Sequence, residues 1–508
     1  MAALCDRSVT RADGILALVN QYTTLGAVDL GSNSFHLAIG RVVDDQIYPL
    51  DSLKETVRLG AGIAGDRTLD DDTQERALAA LKRFSERLAG MPKETVRVVG
   101  TNALRIAKNA RQFVRKAESA LGFPIEVISG HEEARLIYVG VVHSLPMVEH
   151  NRLVVDIGGG STECIIGQKL KPRSVESLYM GCVSYTSRFF PGGKIDKKAM
   201  KGAELAAREQ VQTIADRFEK LGWKEAVGSS GTARSLAEVM TKGGVSDGAI
   251  TAAGLEWLRE ELLSAGDLKK VALAGLRDDR VPVIAGGAAI MSAVFAELDL
   301  EEMKVAEGAL RDGVLWDLLG RVHHRDIREV TVDQFAQTYH VDLAQAERVR
   351  DLALHLLKDI AQDASEQAVT FLDWASRLHE VGISIAQAAY HKHSAYILAN
   401  ADMPGFSRQE QGWLSNLVLS QRGKLAKMRA AFEDDPRLAT LAFCLRTAVI
   451  FHRSRRPLQL PRMRAEARPN GYGLRIGKDW LEDHTLVALA LEEEREEWKS
   501  VGLSLEQE

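Results

Sequence analysis

The sequence predicts an α/β fold with two related lobes and a cleft between them, followed by an all-helical domain and a small C-terminal lobe. Strand-like and helical stretches alternate as far as about residue 322, and helical periodicity then dominates to about residue 455. The stretch around Asp29 recurs around Asp156, at a separation of about one domain length. An internal repeat of that size indicates two related lobes.

Residues 154–163, "VVDIGGGSTE", are predicted to form a glycine turn between two buried strands, "RLVVDI" and "TECIIG". Backbone N–H groups in such a turn can bind an anion, and Ser161 and Thr162 add hydroxyl donors. Asp156 and Glu163 flank the turn, where a hard cation such as Mg²⁺ could join them to a phosphate. The alternative is a tight turn with solvated acids, because a single glycine-rich match is weak.

The first copy of the repeat favours the phosphate interpretation. Residues 27–34, "AVDLGSNS", share Val-Asp-x-Gly, two small residues and a serine with the second copy. Asp29 is therefore expected to head an equivalent hairpin, and each lobe would offer one phosphate-binding turn to the cleft.

Composition indicates an ordinary globular protein of the cytoplasm. The 508 residues are 45% hydrophobic and 27% charged, with a net charge of −5. The start, "MAALCDRSVTRADG", lacks the apolar run of a secretory signal, and no uncharged run reaches the roughly 20 residues of a membrane span. The cysteines lack zinc spacing, which favours buried or free thiols in a reducing compartment. They are Cys5, Cys164, Cys182 and Cys444.

The pattern along the chain predicts five segments: an N-terminal extension (1–22), the first lobe (23–135), the second lobe (136–322), the helical domain (323–456) and the small C-terminal lobe (457–508). "VRVVGTNALRIAKNARQFVRKAESALG" predicts a strand, a turn and one long amphipathic helix. "AVGSSGTARSLAEV" predicts a strand, a small-residue turn and a helix. In the last segment, "GYGLRIG" and "HTLVALALEEE" predict two strand or turn pieces.

The motifs together resemble the exopolyphosphatase and guanosine pentaphosphate phosphatase family of the actin-like ATPase superfamily. They are, in order, "AVDLGSNSFHLAI", "VVGTNALRIAKN", "ISGHEEARLIY", "VVDIGGGSTE", "MGCVSY", "GSSGTA" and "EGALRDGVL". The helical stretches "LHEVG", "HKHSAYIL" and "DMPGF" resemble the long members of the family. The resemblance implies two actin-like (ribonuclease-H-like) lobes, an HD-like helical domain, and Mg²⁺-dependent hydrolysis of terminal phosphoanhydride bonds.

The family's catalytic glutamate corresponds to Glu133 in "SGHEEAR". Ser129 has the spacing of a helix N-cap, with Glu132 completing a capping box, so Glu133 would lie in the first helical turn. A carboxylate held there could orient a water molecule and accept its proton. The alternative role of Glu133 is to stabilise the helix dipole.

The resemblance also implies roles for residues of the turns. Asp156 and Glu163 correspond to acids near the metal, and Asp29 would anchor the first turn or bind water on the metal. The implied phosphate-binding residues are Ser32, Asn33, Ser34, Arg105, Gly158, Gly159, Gly160, Ser161 and Thr162. Residues near a nucleotide, or closing the cleft, would be Ser229, Ser230, Gly231 and Thr232.

The stretch "LHEVG" resembles the histidine-aspartate core of metal phosphohydrolases. Glu380 follows His379 where that core has aspartate, and "RTAVIFHRSR" offers no closing aspartate. His355, His391 and His393 are the other histidines around it. Because a site without suitable ligands holds metal weakly, we expect a helical scaffold here and no second active centre.

Two enzymatic functions share these motifs: an exopolyphosphatase acting on long-chain inorganic polyphosphate, and a guanosine pentaphosphate 5′-phosphohydrolase. A non-catalytic nucleotide-responsive protein ranks below both, because all the required acids are present. We expect no nucleic-acid partner, and the resemblance implies a homodimer formed through the C-terminal half.

The C-terminal third carries a strong local charge separation. Residues 421–475 are rich in lysine and arginine, and residues 479–508 are rich in acids. We predict that Arg453, Arg455 and Arg456 form a distal grip for a polyanionic chain. The alternative is a solvated face whose charges pair with the acidic tail.

Overall fold

The computed structural model describes residues 24–43, 45–63, 65–323 and 326–507. The chain divides into two compact units, one ending at Ile327 and the other beginning at Arg328. This division lies close to the one predicted after residue 322. The predicted N-terminal extension and Cys5 lie outside the described residues.

The first unit begins with a five-stranded sheet in the spatial order β3-β2-β1-β4-β5. β1 pairs antiparallel with β2 and parallel with β4, so the first hairpin occupies one side of the sheet. Alternation of strands with helices, seen in the sequence, produces this mixed sheet. Its strands are β1 Thr24–Leu30, β2 Ser34–Val43, β3 Gln46–Thr56, β4 Val96–Gly100 and β5 Ile125–Val127.

The second sheet repeats the topology of the first. Its order is β10-β11-β9-β6-β7-β8, and β6 pairs antiparallel with β7 and parallel with β9. β6 therefore corresponds to β1, β7 to β2 and β9 to β4, as the sequence repeat predicts. The strands are β6 Asn151–Ile157, β7 Thr162–Gln168, β8 Lys171–Leu178, β9 Glu225–Ser229, β10 Ile250–Thr251 and β11 Glu302–Val305.

Ten α-helices are described in the first unit. Three lie in the first lobe, while α4 packs against the second sheet and α10 packs against the first. They are α1 Asp71–Leu88, α2 Asn102–Ile106, α3 Ala110–Leu121, α4 Gly130–His143, α5 Cys182–Phe189, α6 Lys197–Leu221, α7 Ser230–Lys242, α8 Ala252–Ala265, α9 Ile284–Glu297 and α10 Leu310–Val322.

Two sequence predictions about these helices are wrong. The single long helix predicted after β4 is two helices, because Ala107 is extended and Asn109 pairs its side-chain amide with both backbone groups of Leu69, at 2.9 and 3.0 Å. The turn predicted over residues 228–232 is shorter than predicted, since α7 begins at Ser230 directly after the last residue of β9, Ser229. The reversal occurs at Ser230 itself, whose φ is 69°.

Helices α4 and α10 connect the two lobes. Each has a buried face, and the two faces share one core with residues of both sheets, including Ala27, Val154 and Val227. Glycines let the two helices approach closely: a Cβ on Gly313 would lie 1.8 Å from the carbonyl oxygen of Leu136, and one on Gly140 would lie 2.2 Å from that of Ala309. Close packing here fixes the lobes beside the cleft.

The second unit is built mainly of helices, as its periodicity predicts. Its core is continuous from α11 to the last strand and contains Trp374, Phe443 and Trp498. The helices are α11 Ile327–Thr338, α12 Leu343–Ile360, α13 Glu366–Leu378, α14 Tyr390–Asn400, α15 Arg408–Ser420, α16 Arg429–Asp434, α17 Pro436–Phe451, α18 Lys478–Asp483 and α19 Thr485–Ser500.

A small sheet completes the second unit. It has the order β12-β13-β14, with β12 Met463–Arg468, β13 Gly471–Ile476 and β14 Ser504–Gln507. "GYGLRIG" is a strand as predicted, but "HTLVALALEEE" is helical, because α19 packs Leu491 and Trp498 into the same core as the sheet. In the described ranges, no helix has the length and apolarity that crossing a membrane requires.

Candidate active site

The two predicted phosphate turns face each other. In the first hairpin Asp29 is the register partner of His36, and in the second Asp156 is the partner of Glu163. A Cβ on Gly159 would lie 3.0 Å from Cβ of Ser32, and one on Gly160 would lie 2.5 Å from Oδ1 of Asn102. Bare glycine backbone is therefore what lets the second turn approach the first lobe.

A cavity of about 110 Å³ lies between these turns. It brings together three predicted carboxylates, most residues of both turns, and two residues at the start of α7. The predicted residues on its surface are Asp29, Ser32, Asn33, Ser34, Glu133, Asp156, Gly158, Gly159, Gly160, Ser161, Ser230 and Gly231. The sequence repeat thus correctly predicts which segments meet.

Other predicted residues have supporting contacts. Thr162 donates its hydroxyl to Met180 O at 2.6 Å, and Glu163 accepts a hydrogen bond from the Ser177 hydroxyl at 2.8 Å. Ser229 donates to Gly308 O at 3.1 Å, while Thr232 donates to Ile157 O at 2.9 Å. These bonds fix the ends of β6 and β9, so they hold the turns in position.

Glu133 lies in the first turn of α4, and Ser129 caps that helix as predicted by accepting a hydrogen bond from Glu132 N at 3.1 Å. Arg105 Nη1 donates to Glu133 Oε2 at 2.7 Å and to Ile128 O at 3.1 Å. Burial raises the pKa of Glu133, and the charge and hydrogen bond of Arg105 oppose that rise. Arg105 therefore orients this carboxylate, and its predicted contact with phosphate stays a prediction.

Glu132, predicted as the capping partner of Ser129, belongs to a buried ion network. Its carboxylate accepts from Arg135 at 2.7 and 2.8 Å, and Arg135 also pairs with Asp317. Asp317 in turn accepts from Arg97 Nη1 at 2.6 Å. The network joins β4, α4 and α10 directly beside Glu133.

Four carboxylates crowd the site. Burial, followed by the charge of Glu133, raises the pKa of both Asp29 and Glu163 well above the usual range. Burial also raises the pKa of Asp156, although the neighbouring Ser229 and Ser230 and the charge of Arg234 lower it. The Oδ1 atom of Asp29 is buried, and none of the described residues forms a hydrogen bond with it. A cation at this place would relieve the repulsion and give that oxygen a partner.

The carboxylate oxygens of the cavity suit a hard cation that keeps some of its own water ligands. In the described part of the chain, no group of three or more His, Cys, Asp or Glu side chains is arranged to hold a metal unaided. Mg²⁺ commonly binds through only one or two carboxylates together with water and substrate phosphate. Asp29 and Asp156, which both line the cavity, are the carboxylates that fit this role.

Sequence reasoning missed several lining residues: His36, Asn102, Arg234, Arg280 and Arg311. His36 had a usable signal, because it follows Asp29 at the same offset at which Glu163 follows Asp156. Arg234 and Arg311 stand inside the quoted stretches "GSSGTARSL" and "EGALRDGVL". Arg280 had no sequence signal, because only folding places its guanidinium against Gly231. A Cβ on Gly231 would lie 2.0 Å from Nη2 of Arg280.

A second cavity, of about 400 Å³, adjoins the first and shares its cationic wall. His36, Arg234, Arg280 and Arg311 line both cavities, and Lys54 and Arg277 line the second alone. Burial and the charges of Arg311, Lys54, Arg234 and Arg280 lower the pKa of His36 to about 3. His36 is therefore neutral, in a strongly positive environment.

The helical unit presents no metal centre in its described residues. His379 Nδ1 lies 2.7 Å from Ser376 O, and Glu380 pairs with the Arg455 guanidinium. Arg453, Arg455 and Arg456 are exposed as the grip prediction requires. Arg455 is engaged with Glu380 and lies 3.8 Å from Asp342, so it is less available to a ligand than the other two. The grip itself stays a prediction.

Comparison with protein families gives two matches that follow the division into units. The Ppx/GppA phosphatase family matches residues 38–322, and domain III of the Ppx/GppA phosphatases matches residues 327–495. The first match alone covers more than half of the chain.

Solved structures similar to this chain agree with the family match. A crystal structure of an exopolyphosphatase from Cytophaga hutchinsonii is 26% identical with a TM-score of 0.54, over 59% of this chain and 98% of that one. A crystal structure of an exopolyphosphatase-like protein is 25% identical with a TM-score of 0.53, over 58% of this chain and 97% of that one. The predicted fold class, two actin-like lobes followed by a helical region and a small sheet, is confirmed.

Proposed function

We propose that this chain, which belongs to the Ppx/GppA phosphatase family, is a Mg²⁺-dependent exopolyphosphatase that releases terminal orthophosphate from long-chain inorganic polyphosphate. The observation that carries the proposal is the pair of adjoining cavities. One has the carboxylates and the two glycine and serine turns, and half of the residues that line the other are lysines or arginines. The similar structure described as an exopolyphosphatase supports the same substrate.

The chemistry of the lining favours an inorganic chain over a nucleotide. Lys54, Arg234, Arg277, Arg280 and Arg311 bring five positive charges to this cavity, and Asp279, which pairs with Lys54 at 2.8 Å, and Glu307 offset them only in part. The remaining charge can neutralise consecutive phosphates beyond the one being cleaved. Among the described residues that line the two cavities, His36 is the only aromatic side chain, so they offer little surface on which a base could stack. Guanosine pentaphosphate is the alternative substrate, and it shares the requirement for the terminal-phosphate site.

The protein's part in the reaction is mainly positioning and charge neutralisation. The turn at Ser32–Ser34 and the turn at Gly158–Ser161 would hold the terminal phosphoryl group through backbone N–H and hydroxyl groups. Glu133, fixed by Arg105, would orient the attacking water in line and accept its proton. The buried position of Glu133 raises its proton affinity, which suits a base.

Mg²⁺, when bound, would supply positive charge to the transferring phosphoryl group. Asp29 and Asp156 would hold it, with Glu163 maintaining the second hairpin through its bond with Ser177. Assembly as a homodimer and a cytoplasmic location belong to the same proposal by family resemblance.

Phosphate release from long polyphosphate and from guanosine pentaphosphate, measured side by side, tests the proposal. We expect Mg²⁺-dependent release from long chains, its loss with a chelator, and little release from pyrophosphate. Protein that releases no phosphate from any of these with Mg²⁺ present is not this enzyme. Faster release from guanosine pentaphosphate than from long chains would select the alternative.

A Glu133→Gln variant tests the assigned base. Turnover should fall by roughly 10²-fold or more while binding of the chain persists. Glu366→Gln is the matched control, because Glu366 also lies in the first turn of a helix but in the other unit. Near-normal turnover of Glu133→Gln would leave that residue only a role at the helix start.

A further inference from the structure

A row of three side chains crosses the first sheet and joins its two cavities. These are the cavity of about 110 Å³ that holds the carboxylates (the catalytic cavity) and the adjoining one of about 400 Å³ (the cationic cavity). Asp29 of β1 is the register partner of His36 of β2, and His36 is the partner of Lys54 of β3. Directly opposed residues of antiparallel strands point to the same face of a sheet. Asp29 lines the catalytic cavity, Lys54 the cationic cavity and His36 both, so the row marks a path from one to the other.

The same row sets how far a substrate must extend to reach Lys54. Neighbouring strands lie about 4.7–4.9 Å apart, so the backbone of Lys54, two strands away, lies about 10 Å from that of Asp29. A terminal phosphate held between the glycine and serine turns lies at the Asp29 end of the row. A substrate therefore needs several phosphates behind the terminal one before it can place a phosphate beside Lys54.

Lys54 already has a partner, which belongs to the other lobe. Its Nζ lies 2.8 Å from Oδ2 of Asp279, in the segment between α8 and α9. Asp279 also lies 3.5 Å from Arg277 Nε and 3.7 Å from Arg280 Nε. One carboxylate thus contacts three of the cations that line the cationic cavity, and the shortest of these contacts joins the two lobes.

The pair between Lys54 and Asp279 is open to competition. The two side chains are 31% and 28% exposed, so water and salt screen their attraction and the pair stabilises the fold only weakly. A polyphosphate chain presents several negative charges close together, and each phosphate offers more than one acceptor oxygen to an ammonium group. Such a chain can therefore replace Asp279 as the partner of Lys54.

We propose that Lys54 is a subsite for a phosphate several positions behind the one being cleaved, and that Asp279 competes with the chain for it. The inference rests on the proposed function and adds two residues that determine the response to chain length. A long chain gains an ion pair with Lys54 and displaces Asp279 towards solvent. A short substrate does not reach Lys54, so the pair with Asp279 stays closed.

Michaelis constants for tripolyphosphate and for long polyphosphate test the competition. Asp279→Asn frees Lys54 while it keeps the size of the side chain, so KM for long chains should fall by about threefold or more. The fall in KM for tripolyphosphate should be clearly smaller. An equal fall for the two substrates would show that the lost charge acts on any anion, and the proposal would be overturned.

Asp278→Asn is the matched control. It removes the same charge from the neighbouring residue, which is exposed and has no cation at ion-pair distance within the described ranges. This variant should leave both Michaelis constants almost unchanged. A fall in KM for long chains as large as that of Asp279→Asn would mean that only the net charge of the segment matters, which contradicts the competition.

Removal of the lysine tests the subsite itself. Lys54→Ala should raise KM for long chains about threefold more than it raises KM for tripolyphosphate. Asp279→Asn should lose most of its effect when it is added to Lys54→Ala, because the contact that it releases is already gone. An undiminished effect in the double variant would show that Asp279 does not act through Lys54, and the proposal would fail.

Lysine acylation read by mass spectrometry gives an answer on the unchanged protein, even if a variant unfolds. With a chelator present to prevent cleavage, long polyphosphate should slow the labelling of Lys54 by about threefold or more, and tripolyphosphate should slow it much less. Lys82, exposed on α1, is the internal control. Long chains that bind in a calorimeter and leave the labelling of Lys54 unchanged would overturn this inference alone. Long chains that do not bind at all would overturn the proposed substrate as well.

Discussion

Arg105 Nη1 donates a hydrogen bond to Glu133 Oε2 at 2.7 Å, and this contact sets both the orientation and the protonation of the proposed base. Burial favours the neutral form of Glu133, whereas the guanidinium favours the carboxylate. The same arginine donates to Ile128 O, so one side chain holds the segment between β5 and α4 as well as the first turn of α4.

Replacing Arg105 by Ala should therefore move the acid limb of the kcat profile to higher pH. Without the guanidinium the pKa of Glu133 rises, and a base acts only when it is deprotonated. We expect a shift of at least about one pH unit, together with a lower kcat on the alkaline plateau. The pH dependence of kcat on long polyphosphate measures this. Arg83→Ala, which removes an exposed arginine paired with Glu55, is the control, and an unmoved limb in Arg105→Ala would refute the contact's electrostatic role.

Asp317→Asn should strongly destabilise the first unit. The change removes one of the carboxylates that both Arg97 and Arg135 contact, and Glu126 and Glu132 remain as their counter-charges. We therefore expect a cost towards the lower end of the about 3–5 kcal/mol that loss of a buried charged partner usually causes. Calorimetric unfolding compares the variant with Asp216→Asn, where an exposed aspartate pairs with Lys220 on one helix. A change no larger than that of the control would show that the network contributes little.

The same aspartate predicts a pH dependence of stability. The neighbouring arginines hold the pKa of Asp317 well below its usual range. A depressed pKa contributes stability that is present above the unfolded pKa, about 3.9, and is lost as pH falls towards the folded value. The acid-side slope of the free energy of unfolding should therefore be shallower in Asp317→Asn than in the unchanged protein. Parallel slopes would contradict this.

Gly313→Ala should destabilise the contact between α4 and α10. The added Cβ would overlap the carbonyl oxygen of Leu136, and overpacking of this kind usually costs about 1–3 kcal/mol. Gly412→Ala is a matched control inside α15, since a Cβ there meets nothing within 4 Å. That change should be neutral or stabilise by about 0.5–1 kcal/mol. If the two variants lowered the melting temperature by the same amount, the effect of Gly313→Ala would not depend on the close approach of α4 and α10, and the packing argument would be refuted.

A triple variant should raise KM for long polyphosphate several-fold when it changes Arg453, Arg455 and Arg456 to Ala. The same variant should make KM depend less steeply on salt concentration, by analogy with counterion release from nucleic acids. Because Arg455 pairs with Glu380, its removal also deprives this buried carboxylate, which lies beside His379, of that partner. Arg453→Ala/Arg456→Ala separates the two effects, and it should show most of the change in KM. Equal effects on short and long substrates would indicate damage to the fold and end the grip hypothesis.

The sequence by itself determined the features that repeat or are periodic. Val-Asp-x-Gly at Asp29 and Asp156 predicted the paired hairpins, because a strand, a glycine turn and a strand specify their own local geometry. Helical periodicity predicted the second unit, and the Ser129 cap predicted where α4 begins. These properties depend on neighbours within one or two turns of the chain, so they can be read without the fold.

Only the tertiary structure decided which distant charges meet. Arg280 and Lys54 belong to the cationic wall because folding brings the segment before α9 and strand β3 to the same cavity. No local sequence pattern indicates that these two segments meet. Glu132 has the spacing of a capping residue, yet its carboxylate pairs with Arg135, because α4 and α10 enclose it together with Asp317. The long helix predicted after β4 ends early since Leu69, far along the chain, supplies hydrogen bonds to Asn109. In each case a long-range contact supplied the deciding free energy, and local propensity is too weak to predict it.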